Sequence, residues 1–310
     1  MYPLKFRPIY FEKIWGGRGL EAIKDNLPQG DIGESWEISC HKNGSSIISN
    51  GKYEGITLKE LITLYKDKVL GERFQEEEFP LLLKFISSSD NLSVQVHPND
   101  YYAKLLEEDR GKTEAWYVLE AEEGANLIIG TKGCNENDFM EGIERGTLEK
   151  CLNIIPVKKG DVFFIESGLI HAIGKGVVLL EIQQSSDITY RVYDYNRGRE
   201  IHVDKAMKVI DFNLSSKKLE GELQVTEDYQ RRKYISCKYF EFEEYIIRNN
   251  FQDDTKGENF FLYSCIEGEG KIVYSEGEES IIKGESILIP CSLGKVKILG
   301  QLKLIKVHVP

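Results

Sequence analysis

Three segments of the sequence carry the residue types of a metal site. The segment 91–97 (NLSVQVH) alternates apolar and polar residues, which predicts a strand with Gln95 and His97 on one face. Polar groups on an inward face are costly without partners, and a metal ion is one such partner. Glu114 lies on a second predicted strand, and His171 follows a glycine turn. Two imidazoles and one carboxylate form a common catalytic zinc site, in which Gln95 could supply a further amide oxygen.

An ordinary core or surface position is the alternative for each histidine. The chain contains His41, His97, His171, His202 and His308. We interpret His41, His202 and His308 as structural residues. For His97 and His171, spacing alone leaves the metal site and the structural interpretation open. The three tryptophans are interpreted as core or pocket-wall residues; they are Trp15, Trp36 and Trp116.

Length and charge limit the classes of function. A length of 310 residues favours an organisation in two domains. With 40 Lys and Arg against 51 Asp and Glu, its net charge is −11. Such an acidic chain is a poor candidate for binding nucleic acid or anionic lipid by bulk electrostatics, although a local basic pocket for a small anion is allowed. We therefore expect no nucleic-acid partner and no membrane association.

The cysteines and the start of the chain predict a cytoplasmic protein. No two cysteines form a CxxC pair, no secretory signal is recognisable, and no apolar run approaches the roughly 18 residues of a membrane span. We expect six free thiols, at Cys40, Cys134, Cys151, Cys237, Cys265 and Cys291.

Hydrophobic periodicity predicts short helices among many strands. Helices are expected at 57–70, with Thr57 as N-cap, and at 100–109, 135–146 and 203–211. We expect irregular structure up to about residue 56.

The polar segment 214–227 predicts a linker between a domain at 1–213 and a second at 228–310. In the second domain, short strands separated by glycine turns predict a β-sandwich or barrel. The segments 159–165 (KGDVFFI) and 283–289 (KGESILI) resemble each other, which indicates two related β-barrels, with a metal only in the first. A generic turn-and-strand match is the alternative.

Six sequence blocks, in order, carry a family resemblance. They are GESWEIS (33–39), FPLLLKFI (79–86), QVHPND (95–100), KTEAWYVL (112–119), GLIHAIG (168–174) and SSDITYRVYDY (185–195). Residues 1–213 resemble the short bacterial form of the type I mannose-6-phosphate isomerase family. The tail resembles, more weakly, that family's degenerate second cupin barrel. The family usually has a proline before Gly168, where this chain has Ser167.

The resemblance implies a mainly β fold with two cupin-type (jelly-roll) β-barrels and a few helices inserted in and around the N-terminal one. It implies a zinc-dependent aldose–ketose isomerase that interconverts mannose 6-phosphate and fructose 6-phosphate through an enediol. It places one Zn²⁺ per chain, and the implied ligands are Gln95, His97, Glu114 and His171. It also gives Arg191 a catalytic role, and a fixed guanidinium can stabilise developing negative charge.

Such an isomerisation needs a proton shuttle, either a carboxylate or a water on the metal. Glu181 and Asp187 lie at even offsets from Arg191, so one unbroken strand would place all three on one face. The Ser185-Ser186 pair interrupts that register. We rank Glu181 above Asp187, with a solvated or salt-bridged acid as the alternative for each.

A phosphorylated sugar needs hydrogen-bond donors for its phosphate. Ser93 shares the predicted face of Gln95, Lys112 lies two residues before Glu114, and Lys84 ends an apolar run. We therefore predict phosphate binding by Ser93, Lys112 and Lys84. A solvated surface lysine is the alternative for each lysine, and for Lys84 the two interpretations stay equally open.

Two other functions compete with the isomerase. An iron-dependent cupin oxygenase fits the same ligands, because imidazole binds both metals. A sugar-binding cupin without catalysis is the second alternative. The ordered blocks and Arg191 favour the isomerase, which we expect to be a monomer or a weak homo-oligomer.

Overall fold

The computed structural model describes residues 1–74 and 78–310. Its α-helices are few and short. They are α1 (Leu58–Val69), α2 (Asp100–Glu107), α3 (Glu136–Glu144) and α4 (Val203–Ala206). The first three confirm the sequence prediction, whereas α4 is shorter than the predicted 203–211.

Strands dominate the described residues. The N-terminal part contains β1 (Leu4–Arg7), β2 (Ile9–Gly17), β3 (Ile32–Ile38), β4 (Cys40–His41), β5 (Gly44–Ser45), β6 (Ile47–Ile48), β7 (Leu81–Ser88), β8 (Val94–Val96), β9 (Glu114–Ala121), β10 (Asn126–Thr131), β11 (Leu152–Pro156), β12 (Val162–Ile165), β13 (His171–Ile173), β14 (Val177–Gln184) and β15 (Tyr190–Tyr193). The C-terminal part contains β16 (Glu222–Val225), β17 (Tyr229–Ser236), β18 (Glu241–Ile247), β19 (Asn250–Asp254), β20 (Phe261–Tyr274), β21 (Gly277–Ile282), β22 (Ser286–Ile289) and β23 (Lys295–His308).

Two antiparallel sheets form the N-terminal barrel. One has the strand order β12-β9-β14-β7-β3-β2, and the other has the order β11-β10-β13-β8-β15. The barrel core lies between them, where Trp116 and Val118 of β9 pack in one cluster with Leu127 and Ile129 of β10. Alternation along each strand sends one set of side chains into this core and the next set to the opposite face.

A larger antiparallel sheet forms the C-terminal barrel, with the main strand order β16-β17-β18-β23-β20-β22-β1-β6. Its interior is lined by apolar side chains, including Tyr263, Ile287, Ile298 and Leu304. The predicted mainly β fold with two barrels and a few helices is therefore confirmed.

A third apolar cluster joins the two barrels. Phe85 and Leu180 project from the six-stranded sheet and share this cluster with Phe242 and Leu262 of the C-terminal barrel. All four side chains are fully buried. The sheet that carries Glu114 and Glu181 is therefore covered on both faces.

The prediction that the N-terminal segment is irregular is wrong. Strands β1, β2 and β3 all lie before residue 56. The first of them crosses to the C-terminal barrel, where Leu4 pairs with Leu288 of β22. The partners of β1 lie far away in the sequence, in β6 and β22, so local periodicity does not reveal it. The predicted linker also contains a strand, β16, and the division into 1–213 and 228–310 stays a prediction.

The prediction of six free thiols is wrong for one pair. Cys134 and Cys151 form a disulfide with Cα atoms 5.5 Å apart. They flank α3, and the turn that follows this helix returns the chain to the start of it, a proximity that a separation of 17 residues does not reveal. In the part of the chain that the structure describes, no helix is long and apolar enough to cross a membrane.

Candidate metal centre and active-site cavity

Both sheets of the N-terminal barrel contribute to a cluster of potential metal ligands. In the five-stranded sheet, His171 pairs with Gln95, and His97 follows two residues after Gln95. Glu114 begins β9 in the other sheet. The ligand atoms of His97, Glu114 and His171 lie within 4.8 Å of one another, and all three residues are buried. The structure therefore brings these three predicted residues together.

The hydrogen bonds of the two imidazoles direct their lone pairs towards one another. His97 Nδ1 lies 2.7 Å from the carbonyl of Ile188, and His171 Nδ1 lies 2.8 Å from the carbonyl of Leu169. Because a carbonyl only accepts, each Nδ1 carries the proton and each Nε2 presents a lone pair. The two Nε2 atoms are nevertheless only 3.1 Å apart. Two facing acceptors suit a shared cation.

Electrostatics keep both imidazoles neutral, as metal ligation requires. Burial lowers the pKa of His171 to about 4. Burial, followed by the charge of Lys112, lowers the pKa of His97 well below its usual range. Glu114 Oε1 is buried with no hydrogen-bond donor among the described residues, and it lies 3.5 Å from His171 Nε2. These residues fit a divalent cation, which would pair with the orphaned carboxylate oxygen.

Gln95 lies at the edge of this cluster. Its amide nitrogen is 3.3 Å from His171 Nε2, to which it donates a hydrogen bond. Rotation of the amide would present the oxygen to the same point, so Gln95 is placed to serve as an additional ligand.

Lys112 supplies the positive charge nearest to the cluster. Its Nζ lies 2.7 Å from Glu114 Oε2, 3.0 Å from His97 Nε2 and 3.9 Å from Glu181 Oε1. Burial and the charge of Glu181 nevertheless raise the pKa of Glu114 to about 7. Lys112 thus connects the potential metal ligands to the Glu181 carboxylate.

A cavity of 340 Å³ opens beside this cluster. Its volume falls in the roughly 300–1,000 Å³ range of small-molecule sites. Seven residues singled out from the sequence line it, namely Lys84, Ser93, Gln95, Lys112, Glu181, Asp187 and Arg191. Together with the adjacent ligand cluster, the structure therefore brings every predicted site residue to one place.

The two candidate proton shuttles occupy different environments. Glu181 is 2% exposed, with Lys84 Nζ 2.9 Å from Oε1 and the indole of Trp116 bonded to Oε2. Burial would raise its pKa, but the ammonium groups of Lys84 and Lys112 outweigh burial and lower it. Asp187 is exposed and accepts a hydrogen bond from Asn43. Glu181 is therefore the more enclosed acid, and it is held ionised.

Arg191 differs from the other cations of the cavity. Lys13, Lys84, Lys112 and Arg199 each pair with a carboxylate, at Glu34, Glu181, Glu114 and Asp194 respectively. Arg191 instead donates through Nε to Ser93 Oγ and through a terminal nitrogen to the carbonyl of Glu200. Among the described residues, Arg191 forms no salt bridge, so its full charge is available to a ligand.

Family models match both parts of the chain. Residues 4–131 match phosphomannose isomerase type I, catalytic domain, and residues 230–309 match mannose-6-phosphate isomerase, cupin domain. The chain is 37% identical to the mannose-6-phosphate isomerase ManA of Bacillus subtilis, over 99% of this chain and 98% of that protein. The chain belongs to the type I phosphomannose isomerase family.

Further similarities agree with this membership in the phosphomannose isomerase family. The mannose-6-phosphate isomerase of Streptococcus mutans is 34% identical over 99% of this chain and 98% of that protein. A crystal structure of the mannose 6-phosphate isomerase from Bacillus subtilis superposes with a TM-score of 0.94, at 33% identity and with 100% of both chains covered. A putative mannosephosphate isomerase from Archaeoglobus fulgidus, at 23% identity and a TM-score of 0.79, shares the fold.

In this member of the phosphomannose isomerase family, several cavity residues were missed from the sequence. Glu34, Lys13 and Arg199 line the cavity alongside the predicted residues. Glu34 is 8% exposed and accepts a hydrogen bond from Trp36, and the charges of Lys84 and Lys13 outweigh its burial and lower its pKa to about 2. The signal was the acidic and aromatic string 33–39, which alternates as a strand does.

Proposed function

We propose that the protein is a zinc-dependent aldose–ketose isomerase that interconverts D-mannose 6-phosphate and D-fructose 6-phosphate by proton transfer through an enediol. One observation carries the proposal: the buried His97–Glu114–His171 cluster adjoins a cavity that also holds Glu181, which is ionised, and Arg191, which forms no salt bridge with any described residue. The substrate is inferred from the relatives, which are mannose-6-phosphate isomerases.

Zinc would be held by His97, Glu114 and His171, with Gln95 as a further ligand. When bound, it would supply Lewis acidity that polarises the sugar's carbonyl and hydroxyl oxygens. The carbonyls of Ile188 and Leu169 fix the orientation of the two imidazoles and keep Nε2 free for ligation. The chain thus presents neutral nitrogens and one carboxylate, a ligand set that zinc favours.

Glu181 would move the proton between C1 and C2 of the open-chain sugar. The carboxylate is ionised, buried and fixed on both oxygens by Lys84 and Trp116, so it can accept a proton without rearranging. In a cis-enediol, C1 and C2 take up the transferred proton on the same face, so one base can serve both carbons. Asp187 is the second candidate for this role.

Arg191 and Lys112 would stabilise the negative charge that develops on the sugar oxygens. Arg191 is held by Ser93 and by the Glu200 carbonyl, and it forms no salt bridge within residues 1–74 and 78–310. Preorganised cations of this kind stabilise a transition state without moving.

The substrate phosphate would bind in the part of the cavity that Ser93 lines. The cavity as a whole is lined by five cationic and three acidic side chains, despite the acidic net charge of the chain. That excess of cations favours an anionic ligand. Lys84 and Lys112 each lie close to a carboxylate, so their contribution to phosphate binding stays a prediction.

Proton NMR of mannose 6-phosphate incubated with zinc-loaded protein tests this proposal. We expect mannose 6-phosphate and fructose 6-phosphate to reach the same equilibrium mixture, whichever of the two is supplied. Mannose 6-phosphate that stays unchanged with protein holding stoichiometric zinc would contradict the proposed substrate. A monomeric or weakly self-associating state and a cytoplasmic location stay predictions.

A further inference from the structure

Trp116 contacts both the candidate proton shuttle and a candidate metal ligand. It pairs directly with Glu181 across strands β9 and β14, and its Nε1 donates to Glu181 Oε2 at 2.7 Å. The same indole packs edge-to-face on the imidazole of His171, with ring centroids 5.4 Å apart. A buried indole N–H needs an acceptor, and the acceptor of Trp116 is the candidate shuttle itself.

The surroundings of Trp116 fix its ring. The side chain has no exposed surface and packs in the barrel core with Phe163, Leu127 and Ile129. An indole N–H donates only and does not titrate at working pH, so the direction of its bond to Glu181 is unambiguous. The bond therefore has one geometry, set by the packing of the core.

The two oxygens of Glu181 consequently have different surroundings. Oε2 accepts from Trp116, whereas Oε1 lies 2.9 Å from Lys84 Nζ and 3.9 Å from Lys112 Nζ, two lysines that line the cavity. Without the indole, the carboxylate would be free to rotate about its last bond. A misplacement of about 1 Å can reduce turnover roughly 100-fold.

We propose that Trp116 is a positioning residue for the isomerisation, holding Glu181 Oε2 so that Oε1 faces the cavity at a fixed place. The inference rests on the proposed function, because it needs Glu181 to act on the substrate. It assigns Trp116 no contact with the sugar.

A double-mutant cycle separates positioning from simple structural support. Trp116→Phe removes the N–H while keeping an aromatic ring against His171. We expect kcat to fall about 10- to 100-fold, with KM and zinc content unchanged. Because Trp116 acts through Glu181, adding Trp116→Phe to Glu181→Gln should cause no further loss.

Tyr117→Phe is the matched control, since it removes a hydrogen-bond donor from another buried carboxylate, that of Glu244, on the face of β9 opposite to Trp116. Any fold-reduction in kcat that this control causes should multiply with that of Glu181→Gln in the double mutant, because the two residues act independently. Should Trp116→Phe unfold or lose zinc, Trp116→Met also lacks a donor and fills the space with a flexible apolar side chain, and the same cycle applies to it.

The results of these experiments distinguish the positioning role of Trp116 from structural support of His171 and from failure of the proposed shuttle. Wild-type kcat in zinc-loaded Trp116→Phe, or independent losses in the double mutant, would overturn the positioning role while leaving Glu181 in place. Loss of zinc from both Trp116 variants would show that the indole only supports His171. Wild-type kcat in Glu181→Gln would instead overturn the proposed shuttle, and the positioning role with it.

Discussion

Lys112 Nζ lies 2.7 Å from Glu114 Oε2, within the group of side chains that fits a metal ion. The ammonium group thereby offsets the charge of a carboxylate that has no exposed surface. Removal of one partner of a buried ion pair leaves the other charge uncompensated, which is strongly destabilising.

At pH 9, above the pKa of about 7 to which Glu114 is raised, Lys112→Met should therefore destabilise the metal-free protein by about 3 kcal/mol. Zinc should restore much of that stability, because it would offset the Glu114 charge in place of the ammonium group. Urea unfolding of metal-free and zinc-loaded samples measures both effects. An equal loss of stability with and without zinc would show that Glu114 does not hold the metal.

His171→Ala should abolish zinc retention and isomerase activity together, because His171 Nε2 is one of two facing nitrogens in the cluster. Inductively coupled plasma mass spectrometry gives the zinc content after dialysis, and a coupled assay gives the activity. His308→Ala, which alters a histidine beside Glu241 in the C-terminal barrel, is the control and should keep both. Full zinc in folded His171→Ala would remove this residue from the ligand set.

Glu181→Gln should lower kcat by about 100- to 10,000-fold, the range expected for loss of a general base. Asp187→Asn should lower it far less, since Asp187 is exposed and Glu181 is enclosed beside the potential metal ligands. Steady-state kinetics on the two zinc-loaded variants provide the comparison. The reverse order of effects would make Asp187 the shuttle.

Arg191→Ala should lower kcat by about 100- to 1,000-fold while zinc stays bound, for both mannose 6-phosphate and free mannose. Ser93→Ala should instead raise KM for the phosphorylated sugar alone. Arg197→Ala, which removes a nearby arginine bonded to Asp194, controls for the loss of a guanidinium. A loss confined to the phosphorylated sugar in Arg191→Ala would reassign this arginine to phosphate binding.

Much of the candidate site could be predicted from the sequence, because its residues recur with the two-residue period of a strand. The alternation over 91–97 places Val94 and Val96 in one apolar cluster and Ser93 and Gln95 at the cavity. Residue type indicated the candidate ligands, and the family resemblance indicated Arg191.

The remainder depends on contacts between distant segments. Glu34 reaches the cavity because β3 pairs with β7, about 50 residues further along the chain, and local periodicity carries no trace of that pairing. The absence of a salt bridge at Arg191 among the described residues depends likewise on tertiary contacts, which bring carboxylates to the neighbouring cations instead. The bond from Trp116 to Glu181 requires the register of β9 against β14.

Zinc dependence of the mannose 6-phosphate reaction is the most direct test of the account. A coupled assay for fructose 6-phosphate would be run on protein before chelation, after chelation, and after zinc is added back. The account predicts activity that is lost with the chelator and restored by about one zinc per chain, with no restoration in His171→Ala. Undiminished turnover by protein shown to be free of metal would contradict it.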